Sequence, residues 1–500
     1  MAALLTYPIL ADQADLPFSL SLSAGLLVTV IVAGLLIWLQ RSAFELRSLK
    51  LPGVFMLSYA ALALVPAVLF TLDRDDGPAR NLFFTLASAM VTFPLGVFIV
   101  RAFVKNQSQP PPAQRKAIAS DYLARPPAAT MKRLWGIFLA ISIAVVISYV
   151  VLAPSVPLLR TFTLAGDAAA LQLEREESFK LLPGPLPYFF SWARVFFLPY
   201  FGLVAAASFV RPSLSWRVRA FLSFVVAILF AAASTAKGPP IAVLAMFSAL
   251  GYLMNRGSHP FRRAALFATG ALVIAVVYYK AVFGEGLTIE EALGNFSLRV
   301  FRAPAEVAYY YYATFPDLLP FQGGQTIHVL ATVLSGFLDV QFFDVDNFIF
   351  RAIFPYGLAS GTANAVFIAY LWVDFGWAGV LFGTVLLGML VQVLETYLED
   401  RRDLWTIALR AYLVFAVTLF HASSISTALG THGIIVGLAT TIVLRRLFPA
   451  SASSLVRSSL PDRQGSEQEL GASLHGALVG RETRRSVGSA AHPPRGSRVP

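Results

Sequence analysis

The 500-residue sequence contains no cysteine, only six histidines and only 13% charged residues. Without cysteine the chain cannot form a disulfide framework, a thiolate nucleophile or a cysteine-bound metal site. So few charges, beside 57% apolar residues and a mean hydropathy of +0.68, do not describe a water-soluble globule. The composition excludes soluble dehydrogenases, kinases and nucleic-acid-binding proteins, and it indicates a membrane protein.

The apolar residues form blocks of about 20, the length that an α-helix needs to cross a hydrocarbon core. They predict an all-α, polytopic transmembrane bundle of about eleven spans, at 19–39, 53–72, 82–100, 134–153, 188–210, 220–235, 239–254, 264–283, 376–397, 404–424 and 433–447. Lys and Arg cluster in alternate short connections, which places those loops in the cytoplasm. We therefore expect a bacterial inner-membrane protein with its N-terminus outside and its C-terminus inside. These loops explain the net charge of +11 without a nucleic-acid partner.

Eight of these spans fall in residues 1–284 and three in 376–448, on either side of one large periplasmic loop, 285–375. That loop has nine acidic residues and only three basic ones. Within it, 327–340 predicts a short amphipathic helix on the membrane surface. The apolar run 363–373 is too short to span, so we expect a re-entrant or interfacial helix leading into Asp374. Residues 449–500, rich in Ser, Gly and Arg, predict a disordered basic cytoplasmic tail. The first eighteen residues lack a basic start, which predicts no cleaved leader.

Six cations stand on the predicted outer side, which the bundle otherwise keeps poor in Lys and Arg. They are Arg194, Lys237, Lys280, Arg299, Arg302 and Arg351. Arg offers forked donors and Lys a point charge to phosphate oxygens, so the set predicts a site for a lipid-linked diphosphate. Alternatively, Arg194 and Lys280 pair with carboxylates or reach headgroups. Arg410, near the cytoplasmic end of its helix, is expected to snorkel.

Breaking a glycosyl bond to a diphosphate places negative charge on the departing oxygen, which fixed cations stabilise without a metal or cofactor. A glycosyl acceptor hydroxyl also needs a base. The candidates on the outer side are Glu306, Asp344, Asp346, Asp374, His328, His421 and His432. Asp344 and Glu306 are the preferred catalytic carboxylates, although each is also explained as a solvated structural group. Asp344 to Asn347 could be taken for a metal motif, but acidic loop pairs are more often solvated, and no metal is expected.

Four consecutive tyrosines, Tyr309 to Tyr312, point in all directions round a helix or to both faces of a strand. Either an interfacial aromatic belt or a glycan-stacking platform explains them. Tyr309 and Tyr310, together with Asn364 and Asp374, are the predicted glycan-binding residues.

Two stretches resemble the bacterial oligosaccharide repeat-unit polymerases, the Wzy-type O-antigen polymerase group. Residues 234–240, Ser-Thr-Ala-Lys-Gly-Pro-Pro, resemble the family's outer Ser-Arg-Gly turn, with Lys237 in place of Arg. Residues 363–379 resemble the end of its large outer loop, where an acidic residue and glycines lead into the next helix. The related O-antigen ligases have a His where this chain has Ala363, which favours polymerase over ligase.

The resemblance implies a glycosyltransferase with a GT-C-like helical bundle. Its donor and acceptor would be undecaprenyl-diphosphate-linked glycans, polymerised at the periplasmic face into a surface polysaccharide, with a chain-length regulator as a further partner. Two alternatives stay open: ligase-type glycan transfer, and a transporter or flippase of an anionic or lipid-linked substrate. A carrier should place its charges at mid-bilayer, whereas the predicted cations gather at the outer end.

Overall fold

In the computed structural model, the described residues form helices and no strands. The described residues are 18–72, 74–105, 125–160, 185–208, 214–233, 238–254, 288–336, 340–354, 361–399, 401, 403–449 and isolated positions within 174–182 and 269–276. The predicted cytoplasmic tail lies outside them, apart from its first residue.

The helices are numbered in chain order, with single helical turns at Leu46–Ser48 and Pro157–Arg160 left unnumbered. They are α1 (Phe18–Leu39), α2 (Leu51–Thr71), α3 (Gly77–Lys105), α4 (Ala128–Leu152), α5 (Leu186–Ala207), α6 (Leu214–Ala232), α7 (Gly238–Met254), α8 (Ile289–Ser297, Leu298–Arg302 and Ala303–Thr314), α9 (His328–Leu334), α10 (Val345–Ile353), α11 (Phe367–Glu399), α12 (Leu404–Ala422), α13 (Ile425–Leu429) and α14 (Ile434–Leu447). Wider π-helical turns interrupt α2 at Ala60–Leu64, α5 at Ala193–Phe197 and α8 at Leu298–Arg302.

Eight helical stretches of the described chain are long and apolar enough to cross a membrane, the last of them formed by α13 and α14 together, and α1 and α7 are shorter apolar helices. The prediction of an all-α membrane protein is therefore confirmed. The predicted span 264–283 lies outside the described residues apart from isolated positions. The count of eleven spans, the GT-C-like arrangement and the orientation stay predictions.

Side-chain caps fix where several helices begin, because they satisfy backbone N–H groups that have no partner inside the helix. Asp403 accepts the backbone N–H of Thr406 at the start of α12, and Ser424 accepts that of Thr427 at the start of α13. Thr288 and Glu291 form a reciprocal capping box at the start of α8.

The centre of the bundle is the contact between α3 and α11, which depends on two glycines. A Cβ at Gly96 would lie 2.1 Å from the backbone oxygen of Val385, and one at Gly388 would lie 2.2 Å from that of Phe93. Small residues let helix backbones approach this closely in membranes. Beside them, the rings of Phe55 and Phe93 stack 4.1 Å apart and join α2 to α3.

The end of the bundle that carries the basic connections, called here the basic end, is tied by ion pairs. Lys50 pairs with Glu399, and Arg445 pairs with Asp403 at 2.9 Å. The expectation that Arg410 snorkels is wrong: its side chain is 13% exposed and pairs with Glu395. The carboxylate of Glu395 also accepts the first backbone N–H of α2, 2.9 Å away at Leu51.

The opposite end, called here the loop end, carries α8, α9 and α10. Helix α8 packs against α2 and α3, and the hydroxyls of Tyr312 and Thr85 lie 2.6 Å apart between them. The predicted surface helix 327–340 is shorter, since α9 ends at Leu334. Positive-inside reasoning predicts that this end faces outward.

Candidate functional site

Helix α11 is broken at Gly376, whose φ of 58° and ψ of −143° are not helical. The first arm, 367–375, folds back against the second arm, 377–399. A Cβ at Gly379 would lie 2.4 Å from the backbone oxygen of Leu371, and one at Gly383 would meet the Leu371 side chain at 2.7 Å. Residues 8 and 12 positions apart cannot touch in a straight helix of 1.5 Å rise. A short helix is therefore present at 367–375, and it includes Asp374 at its end. Its re-entrant position in a membrane stays a prediction.

A loop after α8 closes the end of the first arm. The backbone N–H groups of Gln322 and Gly323 each donate, over 2.9 Å, to the backbone oxygens of Val373 and Asp374. The Asp374 carboxylate accepts the N–H of Gly324 at 3.0 Å and of Thr326 at 3.2 Å, and the Thr326 hydroxyl at 2.5 Å. Asp374 is 2% exposed. Its oxygens thus hold the loop in place, while glycan binding by this residue stays a prediction.

The broken helix and α13 enclose a groove of about 630 Å³ at the loop end. Most of its lining is apolar and belongs to the two arms of α11, with Leu429 and Ile425 on the opposite wall. Phe382 and Leu386 line the groove and are 73% and 63% exposed, so the groove borders the lateral surface of the bundle. The polar lining residues are Tyr370, Asp374, Ser424 and Ser426.

Behind the groove, a half-buried carboxylate lies between two phenols. The hydroxyls of Tyr311 and Tyr370 donate to Asp346 Oδ1 over 2.6 and 2.5 Å. The backbone of Asp346 accepts the N–H of Ala363 at 3.1 Å, which ties α10 to the segment before α11. Burial raises the pKa of Asp346 above its ordinary value, although both phenol hydrogen bonds oppose the rise. Because Tyr370 also lines the groove, one side chain separates the groove from this carboxylate.

The predicted catalytic carboxylates occupy other positions. Asp344 is exposed and caps α10, accepting the backbone N–H of Asn347 at 3.1 Å. Glu306 is half-buried in the first turn of the last part of α8, and Asn364 is exposed before α11. Their catalytic and glycan-binding roles stay predictions.

The predicted cations lie on separate elements. Arg194 lies on the π-helical turn of α5 and interacts electrostatically with Tyr149 and His432. Arg299 and Arg302 are exposed on the π-helical turn of α8, which packs against α2. Arg351 is exposed on α10, whereas Lys237 and Lys280 lie outside the described residues. None of the groove-lining residues in the described chain is a cation.

Arg194 nevertheless lies close to one wall of the groove. The wall residue Leu429 is followed by Gly430, whose backbone oxygen accepts the Trp192 indole N–H at 3.0 Å. His432, two residues further on, interacts with Arg194. The segment of α5 that carries Arg194 therefore contacts the chain directly after this wall.

The tyrosine run is helical and faces two environments. Tyr311 and Tyr312 are buried, while Tyr309 and Tyr310 are half-buried. The Arg74 guanidinium lies 4.6 Å from the Tyr309 ring centre, and the Tyr309 hydroxyl donates to Asp76 at 3.0 Å. Arg74 therefore lies over the Tyr309 ring, and Phe70 and Tyr310 pack against the same ring at centroid distances of 5.6 and 5.8 Å, so stacking on a sugar stays a prediction.

Within the described part of the chain, no three His, Asp or Glu side chains come together as metal ligands. No family model, curated protein or solved structure matches the chain. The resemblance to repeat-unit polymerases thus depends on the two sequence stretches alone.

Proposed function

We propose that the chain is a membrane glycosyltransferase that polymerises lipid-linked oligosaccharide repeat units at the predicted outer face. The observation that carries this proposal is the lateral apolar groove whose lining includes Tyr370, Asp374 and two serines. A polyprenyl chain bears only apolar groups, so burying it along the groove is favourable. The attached diphosphate and glycan would then lie at the loop end, where the polar side chains are.

The predicted cations also support a substrate that carries a diphosphate. Arg194, near the groove wall, supplies a positive charge for the diphosphate, and Arg299, Arg302 and Arg351 belong to the same end of the bundle. Fixed cations stabilise the charge that grows on a departing diphosphate oxygen. Lys237 and Lys280 remain predicted members of this set.

Purified full-length protein in detergent, given undecaprenyl-diphosphate-linked repeat units, should form polymer that a gel resolves as a ladder. Deletion of the gene in its host should leave single repeat units on lipid. An unchanged ladder in a deletion strain that has no second polymerase would refute the proposal.

The groove itself is tested by Ala378→Trp, because Ala378 lines the groove and is exposed. The indole should fill the space of the lipid chain and reduce polymer formation at least tenfold. Val393→Trp is the matched control, since Val393 is 52% exposed on the same arm and is not among the groove-lining residues. If both variants form equal amounts of polymer, the lipid chain does not bind in the groove.

The alternative of a transporter would require ionisable residues along a path through the membrane, whereas the buried pair of Glu395 and Arg410 lies at the basic end. The detergent assay separates the two classes. No sealed compartment exists there, so polymer cannot result from transport.

A further inference from the structure

We propose that Asp346 is the catalytic base that takes the proton from the acceptor hydroxyl, and that Tyr311 and Tyr370 position its carboxylate. This inference rests on the proposed glycosyl transfer. It replaces Asp344 and Glu306 with a neighbour that the fold has built into a site.

The geometry distinguishes Asp346 from the other carboxylates. Both phenols donate to the same oxygen, Oδ1, so the carboxylate is held from α8 and from α11 at once. Oδ2 accepts no hydrogen bond from the described residues, and it is not among their buried atoms without a partner. Among the described residues, one oxygen is therefore fixed while the other retains the capacity to accept a proton.

Asp374, the carboxylate that lines the groove, has no such free oxygen. Each of its oxygens accepts at least one hydrogen bond from the loop 322–326, and the residue is buried. Asp344 is exposed and serves as a helix cap. Only Asp346 among these three combines a fixed orientation with an open oxygen.

The electrostatic surroundings suit a base. Burial raises the pKa of Asp346, the nearby charge of Asp344 adds to the rise, and the hydroxyls of Tyr311 and Tyr370 limit it. A carboxylate is a stronger proton acceptor when its pKa is nearer the working pH. The phenols, as neutral donors, orient the group without neutralising it as an arginine would.

The acceptor oxygen attacks the anomeric carbon of the donor sugar, the bond from that carbon to the diphosphate oxygen breaks, and the lipid diphosphate leaves with the electron pair. The acceptor proton passes to Oδ2 of Asp346. Water or the departing diphosphate can take this proton afterwards.

The test compares Asp346→Asn with Asp317→Asn in the purified full-length protein, with undecaprenyl-diphosphate-linked repeat units in detergent. Loss of a general base should lower the polymerisation rate of Asp346→Asn at least about 100-fold. Asp317→Asn should stay within about threefold of wild type, because Asp317 is exposed after α8 and is not among the groove-lining residues. A rate for Asp346→Asn within tenfold of wild type overturns the inference while the proposed function stands. A wild-type protein that makes no polymer overturns both.

A second measurement covers the case in which Asp346→Asn fails to fold. Tyr311→Phe and Tyr370→Phe each remove a hydrogen bond that lowers the pKa of Asp346. The rising acid limb of the rate–pH profile should therefore move to higher pH in both variants. Tyr312→Phe is the control, because its buried hydroxyl meets Thr85 instead. Profiles that coincide with wild type for Tyr311→Phe and Tyr370→Phe contradict the inference.

Discussion

At the basic end of the bundle the carboxylates of Glu395 and Asp403 meet arginines, whereas at the loop end those of Asp346 and Asp374 meet hydroxyls and backbone N–H groups. A carboxylate that meets an arginine forms an ion pair, which joins the two elements that carry the partners. A carboxylate held by neutral donors is also fixed in position, although the phenol hydrogen bonds lower the pKa of Asp346 while burial raises it. The difference suggests that the basic end uses its carboxylates for packing, and that the loop end has one available for chemistry.

Arg410→Met should have the largest effect on stability. It leaves Glu395, 0% exposed, without its cation, and breaking a buried pair in this way costs about 3–5 kcal/mol. Denaturant unfolding in detergent measures the loss. Asp75→Asn is the control, because the pair of Asp75 with Arg80 is exposed and worth about 0–1 kcal/mol. Adding Glu395→Gln to Arg410→Met should restore part of the loss, and a single variant as stable as wild type would show that the pair is not structural.

Gly379→Ala tests the fold-back of α11 at the loop end. The added Cβ would lie 2.4 Å from the backbone oxygen of Leu371, so the two arms must separate, at a cost of about 1–3 kcal/mol. Gly136→Ala in α4 meets no atom within 4 Å and should instead gain up to about 1 kcal/mol from helix propensity. The same unfolding assay compares the two. Equal stability of both variants would mean that the arms are not in contact.

Thr326→Val tests the neutral donors of Asp374. It removes the hydroxyl that donates to Oδ2 and should cost about 1–2 kcal/mol, because a buried acceptor is left with fewer partners. Thr332→Val is the matched control, since Thr332 is exposed and its hydroxyl donates only within α9. A loss as small as that of the control would show that the Thr326 hydroxyl does not hold the Asp374 carboxylate.

The smallest expected effect is a change in how stability depends on pH. Burial raises the pKa of Asp346, so folding favours its protonated form. This contribution is fully present below the pKa of the unfolded carboxyl, about 3.9, and is lost as the pH rises through the higher folded value. As the pH rises over this range, the free energy of unfolding should therefore fall less for Asp346→Asn than for wild type.

Glu291→Gln tests a carboxylate whose pKa is shifted in the opposite direction to that of Asp346. Hydrogen bonds from Thr288 lower the pKa of Glu291, so its contribution is present above the unfolded value and is lost as the pH falls. Unfolding measured from pH 3 to 8, about the range in which carboxyls titrate, compares the variants with wild type. Parallel curves for wild type and Asp346→Asn would contradict the raised pKa.

The sequence by itself determined the membrane class and most of the helices, because a bilayer admits only helices or closed barrels and demands apolar runs of fixed length. It also indicated a break before Gly376, since the run 363–373 is too short to span. These features depend on local composition, which one chain displays directly.

Only the tertiary structure decided which polar side chains meet. Tyr311, Asp346 and Tyr370 come from three separate helices, and nothing in their spacing predicts that both phenols share one carboxylate oxygen. The run of four tyrosines and the pair Asp344 and Asp346 were the available signals, yet they did not say which tyrosine or which aspartate. Arg410 shows the same limit. The packing of α11 against α12 decides whether its side chain reaches the membrane surface or pairs with Glu395. The packing of whole helices decides which distant side chains meet. The free energy of that packing cannot be inferred from a local sequence pattern.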